Sequence, residues 1–160
     1  MYLPKQNFRK AFTLIELLVV IGILAILLAI VLVAINPARQ FSQANNTQRS
    51  SDVNTILNAV HQFAADNNGT LPAGIDTTVR TITDAGGLTD VDLCTDLVPT
   101  YIADMPLDPQ DGTESPAASV CTDVGADYSS GYTIVSSATD NRVTVAAPGA
   151  ELSATINVTR

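Results

Sequence analysis

The chain has no tryptophan, only two cysteines and two methionines, and not a single lysine after Lys10. Each shortage removes a class of function. Cys94 and Cys121 lie far apart and the only histidine is His61, so no zinc site of thiol and imidazole ligands can be assembled at the usual close spacing. Beyond Lys10 the only cations are Arg39, Arg49, Arg80, Arg142 and Arg160, against 16 acids. Such a surface repels phosphate backbones, so no direct nucleic-acid partner is expected. The sequence also lacks a Gly-x-Ser-x-Gly elbow, a Walker loop and a His-Glu-x-x-His pair. Acids without a cleft cannot be assigned as a catalytic pair. His61 sits beside the apolar stripe of a helical segment, where a boundary histidine is the expected reading. No catalytic residue is assigned, and the chain is not read as an enzyme.

What the chain does have is one long apolar run. From Ala11 to Ile35 the only ionisable side chain is Glu16. Helix length and the absence of alternation make this run a helix long enough to span a bilayer. Lys5, Arg9 and Lys10 precede it, so the N-terminus stays cytoplasmic and the C-terminal part is exported. A cleaved secretory signal would have an apolar region of about 7–15 residues before a small-residue cleavage site, and this run is longer. A carboxylate near a bilayer core costs about 2.5–3.5 kcal/mol on insertion scales. Simple anchoring does not require that cost, so Glu16 implies a partner charge. The alternative is that Glu16 merely reaches the membrane surface from the cytoplasmic end.

The organisation follows from composition. Residues 1–11 form a basic leader, 12–36 the membrane half of a helix, and 37–68 its amphipathic half. Asn36-Pro37 is expected to kink the helix. Beyond it Val53, Ile56, Leu57, Val60, Phe63 and Ala64 fall on one stripe. Asn67-Asn68-Gly69 is a stop signal. One kinked helix of about 55 residues and about 80 Å is expected.

Residues 69–160 form an exported head. A helical turn around Cys94 is expected within 91–98, an ordered proline-limited loop over 99–109, and strands at 132–136, 142–146 and, less regularly, 152–158. The fold class is α+β, a long kinked helix packed on a small antiparallel sheet of about three strands. In an oxidising compartment Cys94 and Cys121 are expected to pair, the alternative being two separate buried thiols.

The string Lys10-Ala-Phe-Thr-Leu-Ile-Glu16-Leu-Leu-Val-Val resembles the N-terminal signature of type IV pilins and of the pseudopilins of type II secretion systems. The resemblance covers about the first quarter of the chain. It implies a pilin-like fold and processing by a prepilin peptidase between Ala11 and Phe12, with methylation of the new Phe12 amine. The usual residue before the cut is Gly, and this chain has Ala11. Glu16 then becomes the fifth residue of the mature chain, where it pairs with the Phe12 amine of a neighbouring subunit. Leu14, Leu17, Leu18, Ile21 and Leu24 would supply adhesion between helices. Gly22 and Pro37 bear on assembly, since helices of such filaments melt locally near a proline, although Pro37 lies later than the commonest position and a fixed kink is the alternative.

By the same resemblance, Asp108, Asp111, Glu114, Asp123 and Asp127 are candidate calcium ligands, the plainer reading being a solvated acidic loop. No other cofactor is expected. Asn-x-Ser/Thr triplets at Asn45, Asn68 and Asn157 are read as chance. The implied function is a structural subunit of a type IV pilus-like filament. Its partners are copies of itself, other pilins, the prepilin peptidase and an inner-membrane assembly platform with a cytoplasmic ATPase. It waits as a single-pass inner-membrane protein and ends in an extracellular or periplasmic filament, with adhesion or protein secretion as its use. The close rival is a type II secretion pseudopilin; the distant one is a membrane-anchored binding module.

Overall fold

The computed structural model describes residues 11–84, 86–115, 121 and 127–160. The expected leader, apart from Ala11, therefore lies outside the described residues, as does Asp123. The chain divides into two compact units, Met1–Gln40 and Phe41–Arg160, each considered by itself below.

The first unit is built on helix α1, Leu14–Ile35, which is 22 residues long with a mean hydropathy of 3.5. None of its side chains is buried. It begins at a capping box, with Thr13 as the N-cap and Glu16 as the reciprocal partner. It ends at Asn36, whose backbone is left-handed (φ 46°, ψ 78°). Asparagine tolerates this conformation better than most residues. Pro37 then opens helix α2, Pro37–Asp66, at the first helical position, where its missing N–H is no loss. The Asn36 side chain accepts from the Arg39 amide at 3.4 Å. The expected kink is therefore a full break at one residue, which closes one helix and starts the next.

In the second unit α2 lays Val53, Ile56, Leu57, Ala59 and Val60 into the core, while Phe63 packs at its margin. The stripe read from sequence is thus the buried face. The helix stops as expected: Asn68 and Gly69 are both left-handed, and the Gly69 amide donates to the Ala64 carbonyl at 2.7 Å.

Opposite α2 is a six-stranded sheet formed by β1 (Arg80–Thr83), β2 (Asp90–Val91), β3 (Thr113–Ser115), β4 (Asp127–Ser136), β5 (Val143–Ala147) and β6 (Ile156–Thr159). The order is β2-β1-β4-β5-β6, with β3 paired to the start of β4. All pairs are antiparallel except β1 with β2. Alternation sends Tyr128, Tyr132 and Ile134 of β4 and Val143, Val145 and Ala147 of β5 toward α2. The α+β class holds, and two of the expected strands fall within one residue of their C-terminal ends. The sheet has six strands where three were expected; β1, β2 and β3, of two to four residues each, are too short to show a period in the sequence. The third expected strand begins later than read. Leu152 and Ser153 are left-handed instead of extended, and β6 starts at Ile156.

Between Thr81 and Thr83 the register of β1 against β4 jumps from Thr133 to Ser129. That bulge carries Gly131, at φ 78°. A Cβ at this position would lie 2.7 Å from the Asp108 Cβ, so only glycine lets the loop before β3 approach β4. The short helix α3, Cys94–Leu97, occupies the expected helical turn.

Cys94 and Cys121 form a disulfide with Cα atoms 5.2 Å apart, closing a span of 27 positions. A loop of that length is worth about 3–4 kcal/mol in the chain-entropy account. Replacing both cysteines by alanine should lower the melting temperature of the full chain in detergent by about 10 °C, measured by circular dichroism.

Candidate functional sites: the α1 N-terminus and the Arg49 clamp

Phe12 precedes the N-cap of α1, and Glu16 lies in the first turn of that helix. Phe12 is 88 % exposed. One oxygen of the Glu16 carboxylate accepts from the Thr13 amide and from the Thr13 hydroxyl, both at 2.8 Å. The Glu16 amide donates to the Thr13 hydroxyl oxygen at 3.2 Å. Four amides at any helix start lack a partner within the helix, and this reciprocal pair satisfies two of them. The sequence signal was available: Thr13-Leu-Ile-Glu16 has the S/T-x-x-E spacing of a capping box, which the family signature overshadowed. Chemically, the arrangement holds an acid at the positive end of the α1 dipole with its second oxygen free of these bonds. A cation reaching this end of the helix finds a carboxylate already oriented.

The other conspicuous site was not foreseen. Arg49 lies on α2 and is fully buried. Its Nε donates to Asp108 Oδ2 at 2.6 Å and its Nη2 to Asp108 Oδ1 at 2.9 Å, a two-pronged pair of matched planar groups. Nη2 also donates to Gln110, and Nη1 donates to Asn46 and Glu151. Glu151 in turn accepts from Ser42 at 2.9 Å and Asn45 at 3.0 Å, and its own backbone is bonded in both directions to the Asn46 side chain. Ser42, Asn45, Asn46 and Arg49 share one face of α2 at helical spacing. They fix that face to the loop before β3 and to the connection between β5 and β6.

Burial alone would raise the Asp108 pKa. The Arg49 guanidinium and the amides of Asp111 and Gln110 outweigh it and hold the carboxyl below the usual range. Glu151 is likewise held low, first by Asn45 and Ser42 and then by Arg49. Asp52, which accepts from the Tyr132 hydroxyl at 2.8 Å, shifts upward because burial prevails there.

Asp108, one of the candidate calcium ligands, has both carboxylate oxygens bonded to Arg49, and Oδ1 also accepts from the amides of Gln110 and Asp111. Glu114 and Asp127 sit on the paired strands β3 and β4, and Asp111 donates its amide to Asp108. Among the described residues no group of three His, Cys, Asp or Glu side chains is placed to hold a metal. His61 lies at the edge of a cavity of about 340 Å³ with Ser136, Ser137 and Asn141, and its Nε2 has no partner there.

Residues 6–32 match the model of the prokaryotic N-terminal methylation motif, the prepilin-type signal of type IV pilins and pseudopilins. No curated protein and no solved structure matches the chain. The motif and the apolar helix behind it are those of a membrane-anchored precursor destined for a prepilin peptidase and, in general terms, for a filament.

Proposed function

We propose, from a chain whose prepilin-type signal runs directly into a helix with no buried side chain, that it is the structural subunit of a type IV pilus-like filament and carries out no catalysis. The carrying observation is α1 itself. This 22-residue helix, apolar except for Glu16, buries none of its side chains and demands lipid first and other helices afterwards. The peptidase cuts between Ala11 and Phe12, and the Phe12 amine is methylated. Its unperturbed pKa, about 7.7–8.0 for an α-amine, leaves much of it protonated at neutral pH. When a neighbouring helix docks, that cation meets Glu16, and two charges costly in lipid cancel. Register is then set by this pair, while Leu14, Leu17, Leu18, Ile21 and Leu24 provide contact area. A separate cytoplasmic ATPase acting on an inner-membrane platform supplies the work. The acidic, disulfide-closed head faces outward, where adhesion is its natural use.

Mass spectrometry of the mature N-terminus tests the processing step directly. The expected chain starts at Phe12, with the mass of one added methyl group. Filaments made of chains that retain Met1 would contradict the proposal. Ala11→Gly should process at least as fast as the natural chain, read as the precursor-to-mature ratio on gels.

A further inference from the structure

The chain leaves its apolar span through a stretch that carries cations and no acid. After Glu16 the next acid is Asp52, so residues 17–51 contain no carboxylate, and Arg39 and Arg49 are their only charges. Arg49 is buried on Asp108. Arg39 is exposed. Among the described residues it is the only arginine whose side chain makes no hydrogen bond or ion pair. Arg80 holds Asp76, Arg142 meets Asp140, and Arg160 donates to Asn58. A cation just past the exported end of a span runs against the usual charge bias, which gathers Lys and Arg on the cytoplasmic side.

Local structure fixes where Arg39 stands. Its amide donates to the Asn36 carbonyl at 3.1 Å and to the Asn36 side-chain oxygen at 3.4 Å. The Gln40 amide donates to the same carbonyl at 3.4 Å. Arg39 therefore lies in the first turn after the break, four positions beyond Ile35. The positions three and four away hold Ile35, Asn36, Ser42 and Gln43, none of which can neutralise a guanidinium. Glu151 is not available either, since Ser42, Asn45 and Arg49 occupy its oxygens.

Lengths convert this position into a depth. The 22 residues of α1 extend about 33 Å, against about 30 Å of hydrocarbon in a bilayer. The polar headgroup layer adds about 5–7 Å on each side. Four residues of helical rise amount to about 6 Å. An α1 that fills the hydrocarbon thus delivers Arg39 into the outward headgroup layer. Phosphodiester oxygens are the anions of that layer, and a planar guanidinium can donate to two of them at once. The same phosphates would repel a carboxylate, which agrees with the acid-free stretch on either side of Arg39.

We propose that Arg39 binds the lipid phosphates of the outward leaflet and so fixes the depth of α1 before any assembly. The inference needs only the membrane-anchored precursor and is independent of the filament reading. Its test uses the full chain, labelled with ¹⁵N-arginine, in vesicles of phosphatidylethanolamine and phosphatidylglycerol. Solid-state NMR then reads the dephasing of guanidinium nitrogens by lipid ³¹P. The natural chain should show a dephased signal that Arg39→Gln lacks, while Arg9 in the leader contributes equally to both. The Arg39 side chain has no bond to lose, so the variant should fold normally. Equal dephasing in the two chains would overturn the contact.

Two further measurements separate the other possible partners. In maltoside micelles given inorganic phosphate, no such difference between the chains is expected. A difference as large as in vesicles would assign Arg39 to free phosphate and overturn the membrane contact. In cells, Arg39→Gln should give sheared filaments at the natural level or up to about fivefold above it, because one lipid contact fewer opposes departure from the membrane. A tenfold loss of filaments would place the partner of Arg39 on a neighbouring subunit and overturn the proposal.

Discussion

Glu16→Gln should leave the precursor folded and inserted in the membrane but reduce sheared filaments by about a hundredfold. Glutamine at this position still completes the box with Thr13, because its carbonyl oxygen accepts where the carboxylate does. What it removes is the charge. Leaving one member of a poorly solvated ion pair without its partner costs about 3–5 kcal/mol, and each 1.4 kcal/mol is tenfold in an equilibrium. Glu16→Ala removes both roles and should cost about 1 kcal/mol more at the helix start. The pair of variants separates the two functions of one side chain. Normal filaments from Glu16→Gln would show that helix capping, and not an intersubunit charge, is what this acid supplies. Immunoblots of membrane and sheared fractions give the readout.

The second large effect is expected in the head. Arg49→Met should lower its melting temperature by about 10–20 °C. The side chain is fully enclosed, and its removal strands Asp108 in the core at a cost of about 3–5 kcal/mol. That is a large share of the roughly 5–15 kcal/mol that stabilises a domain. Arg49→Lys keeps the charge but loses the fork that reaches both Asp108 oxygens, so it should recover only part of the loss. Acid gives an independent check. Because the Asp108 and Glu151 pKa values lie below their ordinary ones in the folded state, their contribution is present above the unfolded values, near 4. It is lost as pH falls from there through the folded values. Asp52, shifted upward, titrates in the opposite sense and offsets part of this. Melting of the natural head should therefore weaken below about pH 4, and the slope should flatten in Arg49→Met. A natural head whose melting does not change between pH 5 and pH 3 would refute this account of the clamp.

Sequence revealed the elements with a strong period and missed those held by context. Val53, Ile56, Leu57 and Val60 were legible because only a helix puts them on one side. The runs at 132–136 and 142–146 were legible by alternation, as β4 and β5 bear out. β1 and β2 were not, since a four-residue and a two-residue strand contain too few alternations to stand out from an Asp- and Thr-rich loop. Arg49 shows the harder limit. An arginine on a helix normally reads as solvent-facing, and its burial depends on Asp108, 59 positions away. The N-terminal motif named Phe12 and Glu16 but hid the simpler fact that Thr13 caps the helix. The stretch 152–158 was misread because a leucine gives no warning that it will adopt left-handed backbone.

The geometry of the Arg49 clamp also bears on how the head would respond to pulling. Tension arriving along α2 would reach the rest of the head through bonds from Ser42, Asn45, Asn46 and Arg49 that stretch side by side. Bonds arranged this way share the strain and must rupture nearly together, unlike a row that peels one link after another.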